Sequence, residues 1–300
     1  MIPLKVPQAV RNRAVASGAE AWVDSLPELV ATLEREWEIT VGRSYEPGSE
    51  AFVAEATLAD GTPAVMKLLL PHDSVDARSE ITALRLANGE ACAQLFRFDD
   101  ERRAMLLERL GPVMAERGFP ADERLAILAA TAQKLWRPAQ DAGLMTGAEK
   151  GRWLTDFITR TWESCGRPCS ERAVEFGLAL AESRIAAHDD ERAVLIHGDI
   201  HRWNALEAGD GYKLIDPDGL LAEPEYDLGV LLRDESLDPV PADPRWRANW
   251  LAERTGLDPT AIWEWGMTEA LSSGLMCLSI DLVEAGHSML AVVEKASQSG

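Results

Sequence analysis

Within the run Leu195–Gly219, LIHGDIHRWNALEAGDGYKLIDPDG, the residues able to do chemistry are closely spaced. Asn204 follows Asp199 at D-x4-N spacing, and Asp216 comes twelve residues after Asn204. A carboxylate, a carboxamide and a second carboxylate in this order suit phosphoryl transfer. One group orients an attacking hydroxyl, and hard oxygen donors hold magnesium on a nucleotide. Asp199 is therefore expected to be the catalytic base, with the Asn204 carbonyl oxygen and Asp216 as Mg2+ ligands of bound ATP. A lone Asp in a turn says little, because Asp caps and hydrogen-bonds locally. The ordered set with apolar flanks carries the reading.

Two short strands must position that set. Ala193–Ile196 is an apolar run leading into the turn, and Tyr212–Ile215 is a second that delivers Asp216. His197 and His201 form H-x3-H, a spacing known from zinc sites, but Gly198-Asp199 lies between them and no third ligand follows. His197 is expected to pack and hydrogen-bond beneath the turn, and His201 to line the site. Asp227, in EPEYDLGVLL, reads as an anchor of the loop or a helix cap.

Further upstream, Lys67 lies on a strand in PAVMKLLLP, where nucleotide phosphates would give its ammonium a partner, and Glu80 on the next helix would hold it. Tyr45–Ser49 stands in the place of a phosphate flap. It has a single glycine, so only the backbone N–H groups of Gly48 and Ser49 are candidates there. In LLERL (106–110) the main chain around Glu108 and Leu110 is expected to meet adenine.

The chain as a whole reads as two domains, 1–110 and 111–300, with Gly111-Pro112 at the boundary. Residues 1–37 form a helical leader, with Pro27 expected near a helix start. The pattern then changes to short strands: EITVGRSYE, AFVAEATL, TPAVMKLLL, QLFRFD and RAMLLERL. One helix, 74–88, is inserted among them and ends at Gly89. This predicts a five-stranded antiparallel sheet. Beyond Asp122 the pattern is helical over 122–141, 148–165, 170–189, 224–235, 244–254 and 259 to about 296, interrupted only by the two strands of the motif. The fold class is thus α+β, a small sheet domain before a larger, mainly helical one.

Formal net charge is −20, from 50 acidic against 30 basic residues among 300. Such a field disfavours nucleic acid and anionic membranes and favours a small cationic substrate. No signal segment or membrane-length apolar run is apparent, so cytoplasmic residence and a monomer or weak dimer are the default expectations. The four cysteines, Cys92, Cys165, Cys169 and Cys277, form no C-x2-C pair and read as reduced thiols.

HGDIHRWN followed by LIDPDG resembles the aminoglycoside phosphotransferase superfamily, small-molecule relatives of the protein kinases. The leader VPQAVRNRAVASGAEAWVDSLPELVATLEREWEI is similar to that of the aminoglycoside/hydroxyurea antibiotic resistance kinases, a branch that includes streptomycin 6-kinases. DGTPAVMKL, E-I-T-A-L, LLERL and EPEYDLG continue the likeness, which thins after about residue 240. The resemblance implies a bilobal, protein-kinase-like fold and an ATP- and Mg2+-dependent O-phosphotransferase. It implies Asp199 as base, Asn204 and Asp216 as metal ligands, and Lys67 with Glu80 as the phosphate-binding pair. One departure is Trp203, which stands before the metal-binding Asn where the superfamily usually has a small residue. Its indole would wall or crowd the acceptor side.

The expected acceptor is a cationic, hydroxyl-rich antibiotic, streptomycin first, whose guanidinium groups call for carboxylates. Candidates are Asp156, Asp218, Asp234, Glu235, Glu264 and Glu269, with Asp218 and Asp234 nearest the motif in sequence. Three other readings remain. One is a kinase for a metabolite hydroxyl, such as an amino alcohol or sugar. Another is a metal-dependent sugar-nucleotide transferase using Asp216-Pro217-Asp218. The last is a catalytically silent binding module, against which the complete residue set argues.

Overall fold

The computed structural model describes residues 4–46, 50–71, 77–233 and 245–299, and it divides into two compact units, Met1–Gly111 and Pro112–Gly300. Gly48, Ser49, Asp234 and Glu235 lie outside the described residues.

The first unit opens with helices α1 (Gln8–Ala16) and α2 (Glu20–Trp37). Strands β1 (Ile39–Ser44), β2 (Ala51–Leu58) and β3 (Pro63–Leu69) follow, then helix α3 (Ala77–Ala87) and strands β4 (Leu95–Asp99) and β5 (Ala104–Glu108). The strands form one antiparallel sheet in the order β1-β2-β3-β5-β4, as the alternating segments predict. The leader covers one face of it. Val10, Val23, Leu26, Val30 and Leu33 share a core with Phe52, Met66, Leu68 and Leu106. Pro27 falls inside α2, not near a helix start as the sequence suggested. A proline there forfeits a backbone hydrogen bond at a cost of about 3 kcal/mol. The buried stripe Val23, Leu26, Val30 and Leu33 runs through both sides of it, and its burial outweighs that loss.

Strand alternation then fixes Lys67. Met66 and Leu68 point into the leader core, so Lys67 between them faces the opposite side of the sheet.

The second unit contains helices α4 (Ala121–Gln133), α5 (Gly147–Ser164) and α6 (Glu171–Ala187), with strand β6 (Met145–Thr146) between α4 and α5. Strands β7 (Val194–Ile196), β8 (Ala205–Ala208), β9 (Gly211–Leu214) and β10 (Leu220–Ala222) come next. Helices α7 (Glu225–Val230), α8 (Trp246–Thr255), α9 (Pro259–Ser279) and α10 (Val283–Ser299) complete it. Three expectations need correction. The helix expected over 122–141 stops at Gln133, ahead of a stretch holding Pro138 and Gly143 that a helix cannot include cheaply. The helix expected from 259 to about 296 is two helices, separated where Asp281 takes a left-handed φ of 64°. Beyond the two expected strands of the motif, β7 and β9, there are also β6, β8 and β10; β8 pairs with β9, and β6 and β10 join β7 in a small sheet ordered β6-β10-β7. Strands of two and three residues show no period that a sequence could reveal.

Helices α5, α6, α9 and α10 pack through Ile158, Trp162, Val174, Leu271, Leu275, Leu290 and Val293. A second cluster joins the small sheet to α5, α7 and α9 through Leu154, Ile196, Leu220, Tyr226, Val230 and Trp265. Helices α7 and α9 touch at glycine. A Cβ on Gly229 would meet Trp265 Cβ at 2.6 Å and the Gly266 backbone nitrogen at 2.9 Å, neither of which can yield by a rotamer change. Gly229→Ala should therefore cost about 1–3 kcal/mol. Gly211→Ala, whose Cβ meets nothing within 4 Å, should change stability by no more than about 0.5 kcal/mol. Urea midpoints of the two variants check this.

Candidate active site

The site is built on the loop leaving β7. Ile196 is the last strand residue, and Gly198 turns the chain with a φ of 87°. Glycine is required there twice over, because a Cβ would also sit 2.9 Å from the Asp218 Cβ. The loop's backbone is tied down from α7. Asp227, fully buried, accepts from the His197 N–H (3.1 Å), the Gly198 N–H (2.8 Å) and the Trp136 indole N–H (2.9 Å). Burial pushes this carboxyl up from its ordinary range, and His197 with the N–H donors pulls the other way. Helix α7 starts after Pro224 with no side-chain cap, so Asp227 is a loop anchor rather than a helix cap.

Beneath the loop lies His197, also fully buried. Its Nδ1 accepts from the Asp199 N–H (3.2 Å), which leaves Nε2 to donate to the Ile215 carbonyl (3.0 Å). One imidazole thus joins the Asp199 loop to the segment that leads from β9 to Asp216. Burial pushes its pKa below the ordinary value, outweighing the carboxylates of Asp227, Asp199 and Asp218.

Asp199 is gripped on every side. Asn204 Nδ2 donates to its backbone carbonyl (3.1 Å) and to Oδ2 (3.2 Å). His201 Nε2 lies 3.3 Å from the same Oδ2, while His201 Nδ1 accepts from the Trp203 N–H (3.2 Å). The other oxygen, Oδ1, is ion-paired to Arg233. Burial would raise the Asp199 pKa, but Arg233 and then His201 hold it well below the usual carboxylate range. Because Asn204 spends its amide hydrogens on Asp199, its amide oxygen is left as an acceptor to which no described side chain donates.

The hairpin β8-β9 brings Asp216 to this place. Its ladder runs from Ala208↔Gly211 to Ala205↔Leu214, and the Ile215 N–H donates to the Asn204 carbonyl (2.9 Å). Asn204 and Asp216 thus leave the same open end of the hairpin, Asp216 with a left-handed φ of 57°. Trp203 is the exception among the loop residues, 57% exposed with the Arg202 guanidinium 5.8 Å from its ring centroid.

Several carboxylates expected to meet a cationic acceptor are already paired. Asp218 lies 3.1 Å from the Lys150 ammonium, Glu264 lies 2.5 Å from Arg184, and Glu269 holds Arg233 (3.0 Å) and Tyr226. Asp156 is exposed on α5. In the first unit Lys67 and Glu80 form a buried pair at 2.5 Å. Glu108, at the end of β5, is bound to Gln94, its N–H donating to the Gln94 carbonyl (2.8 Å) and its carboxylate accepting from the Gln94 N–H (3.0 Å). Leu110 lies just past the last ladder pair, Ala64↔Glu108.

Sequence reasoning missed Arg233, Lys150 and Tyr226. No local spacing could have pointed to them, since Arg233 meets Asp199 across 34 residues and Lys150 meets Asp218 across 68.

A five-stranded antiparallel unit followed by a helical unit carrying such a loop is a protein-kinase-like fold. A thermostable mutant of aminoglycoside phosphotransferase APH(4)-Ia, solved with ADP and hygromycin B, matches at a TM-score of 0.62, 12% identical, over 90% of this chain and 98% of that one. Choline kinase LicA from Streptococcus pneumoniae matches at 0.64, 14% identical, over 92% and 99%. Residues 37–279 match the family described as aminoglycoside/hydroxyurea antibiotic resistance kinase, and the chain belongs to that family. It is similar to streptomycin 6-kinase of Streptomyces griseus, 28% identical over 97% of this chain and 96% of that protein. It is also similar to hydroxyurea phosphotransferase of Kitasatospora aureofaciens, 29% identical over 76% of this chain and 66% of that protein. The protein is accordingly a phosphotransferase acting on hydroxyl groups. No helix among the described residues is long and apolar enough to cross a membrane.

The buried neutral His197 has a pH consequence. Unfolded, its pKa returns to about 6.5, so as pH falls through that value the unfolded chain binds a proton that the native chain resists. Stability should therefore drop between about pH 7.5 and pH 5.5, and drop less in His197→Gln. Denaturation midpoints at the two pH values measure the difference.

Proposed function

We propose that this enzyme transfers the γ-phosphate of ATP, with Mg2+, to a hydroxyl of a cationic aminoglycoside, streptomycin first. The observation that carries the proposal is the orientation of Asn204. Its amide hydrogens are committed to Asp199, so its hard oxygen is left as an acceptor at the hairpin end from which Asp216 also emerges. Mg2+ takes one or two protein oxygens and fills its octahedron with waters and phosphates. The described residues hold no group of three or more His, Cys, Asp or Glu that would cage a metal, and the Asn204–Asp216 pair fits a nucleotide-borne magnesium.

When bound, Mg2+-ATP supplies the phosphoryl group and neutralises charge developing on its oxygens. Asp199 orients the acceptor hydroxyl and takes its proton on a carboxylate oxygen. Paired to Arg233, that carboxylate is a weak base, which suits a loose transition state that asks for orientation more than for early proton removal. Lys67, held by Glu80, meets phosphate oxygens, and Leu110 and Glu108 offer main chain to adenine. Backbone N–H groups of Gly48 and Ser49 complete the phosphate contacts.

The acceptor side is formed by His201 and Trp203, with Asp218 and Asp234 as further contacts. A surface of α5 extends it. Trp153 stacks on Phe157 with centroids 5.2 Å apart, Asp156 shares that face, and Lys150 links Trp153 (4.8 Å to its centroid) to Asp218. The likeness to a hydroxyurea phosphotransferase supports a second reading, in which a small hydroxylated urea is the acceptor.

The test is ADP release with ATP and Mg2+ in the presence of streptomycin, hydroxyurea or amino alcohols, beside Asp199→Asn. Streptomycin-dependent turnover that the substitution lowers by about 100-fold or more is expected. Turnover with another acceptor alone would reassign the substrate, and no turnover with any would contradict the proposal.

A further inference from the structure

Arg233 closes the short helical turn after α7, and its side chain is only 15% exposed. One terminal nitrogen, Nη2, is ion-paired to Asp199 Oδ1. The other, Nη1, reaches Glu269 Oε2 (3.0 Å) and Ser273 Oγ (3.0 Å), one turn apart on α9. Glu269 is itself buried, and its second oxygen accepts from the Tyr226 hydroxyl. A continuous chain, Tyr226–Glu269–Arg233–Asp199, therefore runs from the packed interior of the helical unit to the catalytic carboxylate.

Stability alone is a weak reason to keep such a chain. Apolar side chains of similar volume commonly serve a core as well as a buried ion pair does. The geometry is instead suited to fixing an orientation. Oδ2 of Asp199 is held by Asn204 and His201 from within the loop, and Oδ1 is held from outside it by a guanidinium anchored on a helix. Two oxygens held from different directions fix both the rotamer and the plane of the carboxylate. A guanidinium can do this because its rigid fork presents separate N–H groups to Asp199 and Glu269, whereas an ammonium is a compact point charge.

We propose that Arg233 is a positioning residue, a fork tied to Glu269 that sets the plane of the Asp199 carboxylate for the acceptor hydroxyl. This rests on the phosphotransferase reading of the site. In the step it serves, the acceptor oxygen bonds to the γ-phosphorus as the bond to the bridging oxygen breaks. ADP leaves with that electron pair, and the hydroxyl proton passes to Asp199. Misplacing the orienting group by about 1 Å costs on the order of 100-fold in rate. Since Arg233 acts through Asp199 and not on either substrate, the loss should fall on kcat and leave KM nearly unchanged.

The experiment pairs kinetics with crystal structures of Arg233→Lys and Arg233→Ala. In both variants kcat should fall about 100-fold, with the KM for ATP and acceptor within about 3-fold of wild type. Added guanidinium chloride at non-denaturing concentration should restore about 10-fold of the loss in Arg233→Ala and nothing in Arg233→Lys. In the crystals the Asp199 carboxylate should be rotated away from His201 and Asn204. Wild-type kcat in Arg233→Lys, a loss confined to KM, or no guanidinium rescue of a folded Arg233→Ala would each overturn the inference. If the wild-type enzyme released no ADP in response to any acceptor, the functional reading would fall separately. An unmoved Asp199 carboxylate in the variant crystals would overturn the positioning role whatever the activity.

Discussion

A single buried carboxylate holds the 197–204 loop in shape. Asp227 accepts from three N–H groups, two of them backbone amides of the loop, at a position with no access to solvent. Without it the His197 and Gly198 amides would be buried donors lacking a partner, each costing about 1–3 kcal/mol. The geometry of Asp199 follows from that constraint. Gly198 can take its left-handed turn because its amide is held, His197 can seat its ring under the turn, and that ring then sets the distance to the Asp216 strand through Ile215.

Around this anchor the helical unit divides its charges by task. Asp227 and His197 are enclosed and hold backbone. Asp199 is a third exposed, so it can meet a solute while keeping its pairs with Arg233 and His201. The Asn204 amide faces Asp199 with its hydrogens, and its oxygen accepts from no described side chain. In the sheet unit the Lys67–Glu80 pair gives a charged group a fixed place on a face that strand alternation alone selects. Of the four described acidic residues first expected as substrate contacts, three (Asp218, Glu264 and Glu269) are paired with internal partners. Net charge says how many carboxylates there are, not which of them are paired.

The readable parts of this protein are the local ones. The order Asp199, Asn204, Asp216 and the apolar runs leading to Asp199 and Asp216 are short-range patterns, and β7 and β9 fall where those runs put them, whereas β8, the other arm of the hairpin, was not expected. The five strands of the sheet were legible for the same reason, since alternation and turn residues are local signals. Arg233 and Lys150 were not legible, because a cation on a helix or its flank reads as solvated until its partner, tens of residues away, is placed. Pro27 misled because burial on both sides of it overrides its usual meaning. The break at Ile280–Leu282 was hidden because no Gly or Pro marks it, and Asp281 supplies the left-handed residue instead.

The most direct test of the anchor is amide hydrogen exchange in wild type and Asp227→Asn. The substitution keeps one acceptor oxygen and replaces the other with a donor. Exchange at His197, Gly198 and the loop through Asn204 should quicken by about 100-fold or more, while α5, α6 and α9 keep their protection. Unchanged protection across 197–204 in a folded Asp227→Asn variant would contradict the claim that this carboxylate organises the site.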